Sequence, residues 1–288
     1  MSPIIPALLS VLLWSGAAWL SLKLAHIPPF LLVGISLLIG AVCGLPRLRD
    51  WRAVTPRLLA LGVYGLFGFH VLLFTALRHA PPIEANLINY LWPLLIVVLS
   101  PLIVPGTVLA PRHVVAALLG FSGAALLATG GRFRIELAHL FGYGCALASA
   151  LIWSTYSLLT RRMVGIPGGT VGAFCAASGV LSLLCHGVWE APATIAAGDW
   201  AWLLAMGIGP LGVAFYTWDL AMKRGDPRVI GSISYLTPLL STLWLALSGA
   251  GSLGTMSAIA MAAIVGGALL GSVRRVTSWR ARTRSRDA

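Results

Sequence analysis

Asn86, Asn89, Tyr90, Trp92 and Pro93 crowd into eight residues of an otherwise apolar stretch. Amide and phenol groups hydrogen bond to ammonium and carboxylate, and an indole offers a face for stacking. Asn86, Asn89, Tyr90 and Pro93 fall at i, i+3, i+4 and i+7, on one side of a helix. Pro93 removes a helical hydrogen bond and crowds the carbonyl of Asn89. In lipid, a freed backbone group must face protein or a wet cavity. The pattern returns downstream. Tyr90-Leu91-Trp92-Pro93-Leu94-Leu95 is answered by Tyr235-Leu236-Thr237-Pro238-Leu239-Leu240, with Ser232 and Ser234 just before it. Leu13-Trp14-Ser15 is likewise answered by Ile152-Trp153-Ser154. Paired, proline-interrupted apolar segments in corresponding halves point to a transporter's binding site.

These residues suit a zwitterion with an apolar side chain. Trp92, Trp153 and Trp14 would stack on it or shape its pocket. Asn86, Asn89, Tyr90, Ser154 and Tyr235 would bond its amino or carboxylate group, and Pro93 and Pro238 would permit bending. The competing reading is helix–helix hydrogen bonding with a tolerated kink. His70, mid-span, would titrate or bond substrate; the alternative is a neutral imidazole bonded to a nearby carbonyl. Asp219 and Lys223, at i,i+4 near one end of a span, read as an interfacial ion pair.

No Asp or Glu lies mid-membrane beside the tryptophans, and no Lys or Arg does either. A proton-exchanging exporter of cationic drugs would need the carboxylate, and a phosphorylated substrate would need the cation. A neutral, aromatic site suits neutral amino acids moving by facilitated diffusion. Proton-coupled export of drugs or other metabolites is the alternative. Gly120-Phe121-Ser122-Gly123 matches the GxSG nucleophile motif of intramembrane serine proteases, with His70 or His186 as base. Close packing is the simpler reading in a glycine-rich span, and no enzyme is expected. Cys43, Cys145, Cys175 and Cys185 are scattered and form no CxxC pair, so neither a metal site nor a cofactor is expected.

The elements that must hold these groups are membrane helices. Of the 288 residues, 58% are hydrophobic and 10% charged, with a mean hydropathy of +0.91. Soluble domains carry roughly 25% charged residues. The fold class is therefore all-α and polytopic. Spans are expected at 3–22, 28–45, 57–77, 84–104, 113–130, 138–160, 169–189, 200–221, 229–247 and 255–273. The first reads as a retained span, not a cleaved signal, because no basic residues precede it. Trp51, Trp189, Trp200, Trp202 and Trp279 suit the interfacial belt. The tail of residues 274–288 is basic and polar, the composition of a disordered segment.

The net charge of +12 does not point to nucleic acid, because the basic residues sit between apolar runs and in the tail. They set topology instead. With ten crossings and a cytoplasmic N-terminus, 16 Lys and Arg fall inside against 4 outside. Both termini are then cytoplasmic. The repeat offset stays near 140–145 residues, as in Ala60-Leu61-Gly62-Val63 against Ala205-Met206-Gly207-Ile208. Each half, residues 1–135 and 136–273, would hold five spans. Five is odd, so the second half would be inverted. Gly267 and Gly271 form a GxxxG, and Gly120 with Gly123 a small ridge, so the fifth and tenth spans should pack together. A monomer is favoured, with a homodimer through those spans as the alternative.

Ten spans, inverted halves and an early Trp-Ser in each half resemble the drug/metabolite transporter superfamily, in its EamA-type branch, over about residues 3–273. Asn89-Tyr90-Leu91-Trp92-Pro93 is similar to the corresponding stretch of the YddG-like aromatic amino-acid exporters. The resemblance implies a bacterial inner-membrane carrier that exports amino acids or related metabolites. Its partners would be a small-molecule substrate and the lipid bilayer.

Overall fold

A computed structural model describes residues 2–132, 136–249 and 254–272. Arg134 and the tail with Trp279 lie outside these residues. All regular structure in the described residues is helical. Helices α1 (Ile4–Lys23) and α2 (Pro29–Val42) are followed by a 3-10 segment, Leu45–Ala53. Helix α3 (Pro56–Val63) runs through a π turn at Tyr64–Gly68 into α4 (Phe69–His79). Helix α5 (Pro82–Asn89) is broken at Tyr90 and Leu91 from α6 (Trp92–Ile103). Next come α7 (Pro111–Thr129), α8 (Leu140–Arg161) and α9 (Thr170–Trp189). Helix α10 (Asp199–Ile208) passes a π turn at Gly209–Val213 into α11 (Ala214–Arg224). Helix α12 (Pro227–Ser234) breaks at Tyr235 from α13 (Leu236–Leu247), and α14 (Thr255–Ser272) closes the series.

Local sequence explains many of the starts. Pro29, Pro56, Pro82, Pro111 and Pro227 each open a helix. There the missing N–H costs nothing and the fixed φ is already helical. Thr55 caps α3 by accepting from Leu58 N–H at 3.3 Å, and Asp226 caps α12 by accepting from Arg228 N–H at 2.9 Å.

Nine spans among the described residues are long and apolar enough to cross a membrane. A tenth is counted if α2 and the 3-10 segment are one span, though they meet at 93°. The second expected span, 28–45, is thus a 14-residue helix that stops at Val42. Pro46 and the polar Arg47-Leu48-Arg49-Asp50 run behind it turn the chain along the surface.

Ion pairs and hydrogen bonds sort the connections onto two faces. His26 meets Asp199 at 3.0 Å, Arg78 meets Glu190 at 3.1 Å, and Glu190 also accepts from the N–H of Phe30. On the opposite face, Asp50 accepts from Gly169 N–H at 3.1 Å, Arg161 donates to Lys223 C=O, and Arg228 donates to Val108 C=O. The second face carries Arg47, Arg49, Arg52, Arg57, Arg112, Arg161, Arg162, Lys223, Arg224 and Arg228.

Helix α7 packs along α14, as the glycine spacing leads one to expect. A Cβ on Gly267 would come within 2.6 Å of Ala116 C=O, and one on Gly123 within 2.6 Å of Ala260 C=O. Backbone meets backbone here, so neither side can yield. Gly267→Val is expected to destabilise the protein by about 1–3 kcal/mol, read as an earlier melting transition in detergent. An exposed control, Gly266→Val, meets nothing within 4 Å and should melt as the unaltered protein does.

Candidate functional site

A cavity of about 310 Å³ lies at the level of the α5–α6 break and the Gly209–Val213 π turn. It is lined by Trp14, Ala17 and Ser21 of α1, Leu32 and Val33 of α2, and Phe69, His70, Leu73 and Phe74 of α4. Asn86, Asn89, Tyr90 and Trp92 come from the broken span, and Trp153 from α8. Met206, Pro210, Leu211, Phe215 and Thr237 complete the wall. From mid-span these residues run towards the face that holds the His26–Asp199 and Arg78–Glu190 pairs. None of the described residues on its wall is Asp, Glu, Lys or Arg.

Its floor is aromatic. Trp14 contacts Trp92 at 6.2 Å, Trp153 at 5.6 Å and Phe215 at 6.1 Å between ring centroids. Trp218 lies beneath, 5.1 Å from Trp14 and 5.6 Å from Trp92. Most of these contacts are edge-to-face, the arrangement favoured by ring quadrupoles. Hydrogen bonds fix the indoles. Trp14 Nε1 donates to Pro210 C=O at 3.0 Å, tying α1 to the π turn. Trp218 Nε1 donates to Ser157 Oγ at 3.0 Å.

The polar groups above the floor differ in how far they are committed. Asn89 Nδ2 donates to Ser149 Oγ at 2.6 Å, which links the broken span to α8. His70 Nδ1 lies 2.6 Å from Leu66 C=O. A carbonyl only accepts, so Nδ1 carries the proton, and in the neutral ring Nε2 is an acceptor. This is the carbonyl-bonded imidazole weighed above, although the ring also lines the cavity. Thr237 Oγ1 is buried on the wall without a hydrogen-bond partner among the described residues. Such an atom calls for a water or a ligand group.

The structure thus gathers Trp14, His70, Asn86, Asn89, Tyr90, Trp92 and Trp153 around one space. It places Ser154 and Tyr235 elsewhere. Ser154 follows Trp153 by one position, about 100° round the helix, and donates to Leu151 C=O in its own helix. Tyr235 is fully buried among α6, α7 and α14. Its hydroxyl lies 3.1 Å from Leu94 N–H and 3.4 Å from Tyr90 C=O. Pro93 sits second in α6, directly after the break, and Pro238 third in α13. Trp218, Phe215, Phe69 and Thr237 escaped the sequence reading. Phe215 and Trp218, at i and i+3 on α11, carried the one periodic signal available.

The EamA-like transporter family matches residues 1–129 and 140–273. The chain belongs to the EamA-like transporter family. It is 42% identical over 273 residues to the aromatic amino acid exporter YddG of Ancylobacter novellus, covering 92% of this chain and 94% of that one. The aromatic amino acid exporter YddG of Escherichia coli is 26% identical over 220 residues, covering 72% of each chain. A solved crystal structure superposes with a TM-score of 0.90 at 41% identity, covering 95% of this chain and 99% of that one. The protein is therefore a multi-pass membrane transporter of the EamA type, acting on a small molecule, and not an enzyme. The GxSG run is a packing face. A Cβ on Gly120 would sit 2.4 Å from the Tyr235 ring, Gly123 backs onto α14, and Ser122 is exposed on the outside of the bundle.

Proposed function

We propose that this EamA-type transporter exports neutral, aromatic amino acids across the bacterial inner membrane by alternating access. The observation that carries the reading is the 310 Å³ cavity with indoles on its floor, neutral polar groups above and no charged side chain on its wall. Rings of the substrate would stack on Trp92, Trp153 and Trp14. Asn86, Asn89, Tyr90 and His70 would meet its amino and carboxylate groups, directly or through water. The name of the Ancylobacter novellus relative points the same way.

The alternating mechanism would use two halves, residues 1–135 and 136–273, as inverted repeats. Recurring irregularities support this. The π turns start 145 residues apart (64 to 209), and so do Tyr90 and Tyr235 at the two helix breaks (90 to 235). Packing is reciprocal: α2 lies on α9 and α7 on α14, while α1 on α13 is answered by α8 on α6, and α10 on α2 by α3 on α9. The basic face would be cytoplasmic, with both termini on that side. The cavity would then open outward.

The wall has no carboxylate and its one imidazole, His70, is tied to Leu66 C=O, so flux would follow the substrate gradient. Purified protein in liposomes should exchange labelled phenylalanine, and a pH gradient alone should drive no accumulation. Uphill uptake powered by the pH gradient would establish coupling instead. No counterflow of any aromatic amino acid would overturn the substrate assignment.

A further inference from the structure

A second cavity, of about 610 Å³, lies on the basic side of the indole floor, between the end of α2, the Val164–Gly168 turn and α11. Trp218 stands between the two spaces. It packs on Trp14 and Trp92 of the first cavity, while its chain neighbours Thr217 and Asp219 line the second.

The second wall is charged where the first is not. Arg47, Asp219, Lys223 and Arg224 all line it. Lys223 Nζ donates to Asp219 Oδ2 at 2.8 Å and to Ile166 C=O at 2.9 Å. The side chains of Lys223 and Asp219 are only 8% and 6% exposed, so the pair is buried in protein near the basic face. Asp219 Oδ1 accepts no hydrogen bond among the described residues. This oxygen is left available to a donor in the cavity that Asp219 lines. Arg47 and Arg224 are exposed and pair with no carboxylate among the described residues. The cavity therefore offers free guanidinium donors together with a free carboxylate oxygen. A simple anion, such as a lipid phosphate, would leave that oxygen unmet. A simple cation would face the arginines. A zwitterion answers both.

We infer that this cavity is a separate loading site for the amino acid, which rests here before the Trp218 layer opens. Arg47 and Arg224 hold the α-carboxylate, and Asp219 Oδ1 accepts from the α-ammonium. Tyr216 and Leu220 supply the apolar wall for the side chain. The inference rests on the amino-acid export reading above.

Cys43 lines the same cavity and reports on its occupancy. Full-length protein in proteoliposomes is alkylated with N-ethylmaleimide, and the rate at Cys43 is followed by peptide mass spectrometry. Phenylalanine at ten times its dissociation constant should slow the reaction about 11-fold. Phenethylamine, which lacks the carboxylate, and 3-phenylpropionate, which lacks the ammonium, should each protect far less. Arg47→Gln with Arg224→Gln, both exposed, should raise the half-protecting concentration about tenfold. Trp92→Ala empties the first cavity's stack and should leave protection intact; protection lost there would assign it to the first cavity and overturn the inference. Equal Cys43 rates with and without phenylalanine, in vesicles that still perform counterflow, would overturn it while leaving the export reading standing. Vesicles without counterflow would sink the export reading and this inference together.

Discussion

Trp92→Ala lowers phenylalanine counterflow in proteoliposomes on the order of 100-fold, and Trp153→Ala does the same. Trp92 is 6% exposed and Trp153 4%, and each contacts Trp14 and Trp218. An aromatic pair is worth about 0.5–1.5 kcal/mol beyond its burial. Removing one indole from this cluster forfeits several such contacts at once, and about 2.7 kcal/mol corresponds to 100-fold. A substrate ring would also lose one wall of its pocket. Trp92→Phe keeps a ring and should retain most of the activity. Trp189→Ala and Trp200→Ala remove indoles that are 59% and 46% exposed, and transport should be unchanged. Size-exclusion profiles and membrane insertion should match the unaltered protein throughout. Normal phenylalanine flux in both cavity variants, with the proteins folded, would defeat the assignment of the cavity.

The helices were legible because each depends on a run of apolar residues, which is local information. So was the α7–α14 seam, where Gly120, Gly123 and Gly267 leave room for backbone contact. The bend after Val42 was less so, because hydropathy does not distinguish a full span from a short helix that turns along the surface. The π turns at Tyr64–Gly68 and Gly209–Val213 are set by tertiary packing. Gly65 lets the Tyr156 ring come within 2.3 Å of where a Cβ would stand, and Gly212 lies against Gly40. Trp218 was hidden for a different reason. It stands between Thr217 and Asp219, outside the repeated Trp-Ser and Tyr-Leu-x-Pro motifs. Only the arrival of Trp14, Trp92 and Trp153 from three other helices makes it a floor. The repeated motif showed where the chain breaks but not what each tyrosine does. Tyr90 faces the cavity, whereas Tyr235 turns into the protein.

Tyr235→Phe should therefore act on stability and on the broken span rather than on substrate recognition. In an unbroken helix Leu94 N–H would donate to Tyr90 C=O, four residues earlier. The Tyr235 hydroxyl sits between these groups instead, accepting from Leu94 at 3.1 Å and donating to Tyr90 at 3.4 Å. It bridges the break from another helix. Phenylalanine keeps the ring and leaves both backbone groups unmet, at a cost of about 1–3 kcal/mol. With no water to relieve them in the bilayer, the alternative is for the Leu94–Tyr90 bond to close and straighten the span. That would displace Trp92, which lies inside the bridged segment. Either response should lower the melting temperature by about 2–10 °C or reduce maximal flux, with little change in half-saturating phenylalanine. Gly120→Ala should reproduce this signature, because its Cβ would stand 2.4 Å from the Tyr235 ring and drive the hydroxyl from its seat. Tyr90→Phe should do the reverse, since its ring lines the cavity: stability unchanged, half-saturating phenylalanine raised. If Tyr235→Phe melted like the unaltered protein and bound phenylalanine more weakly, its hydroxyl would belong to the substrate and not to the helix break.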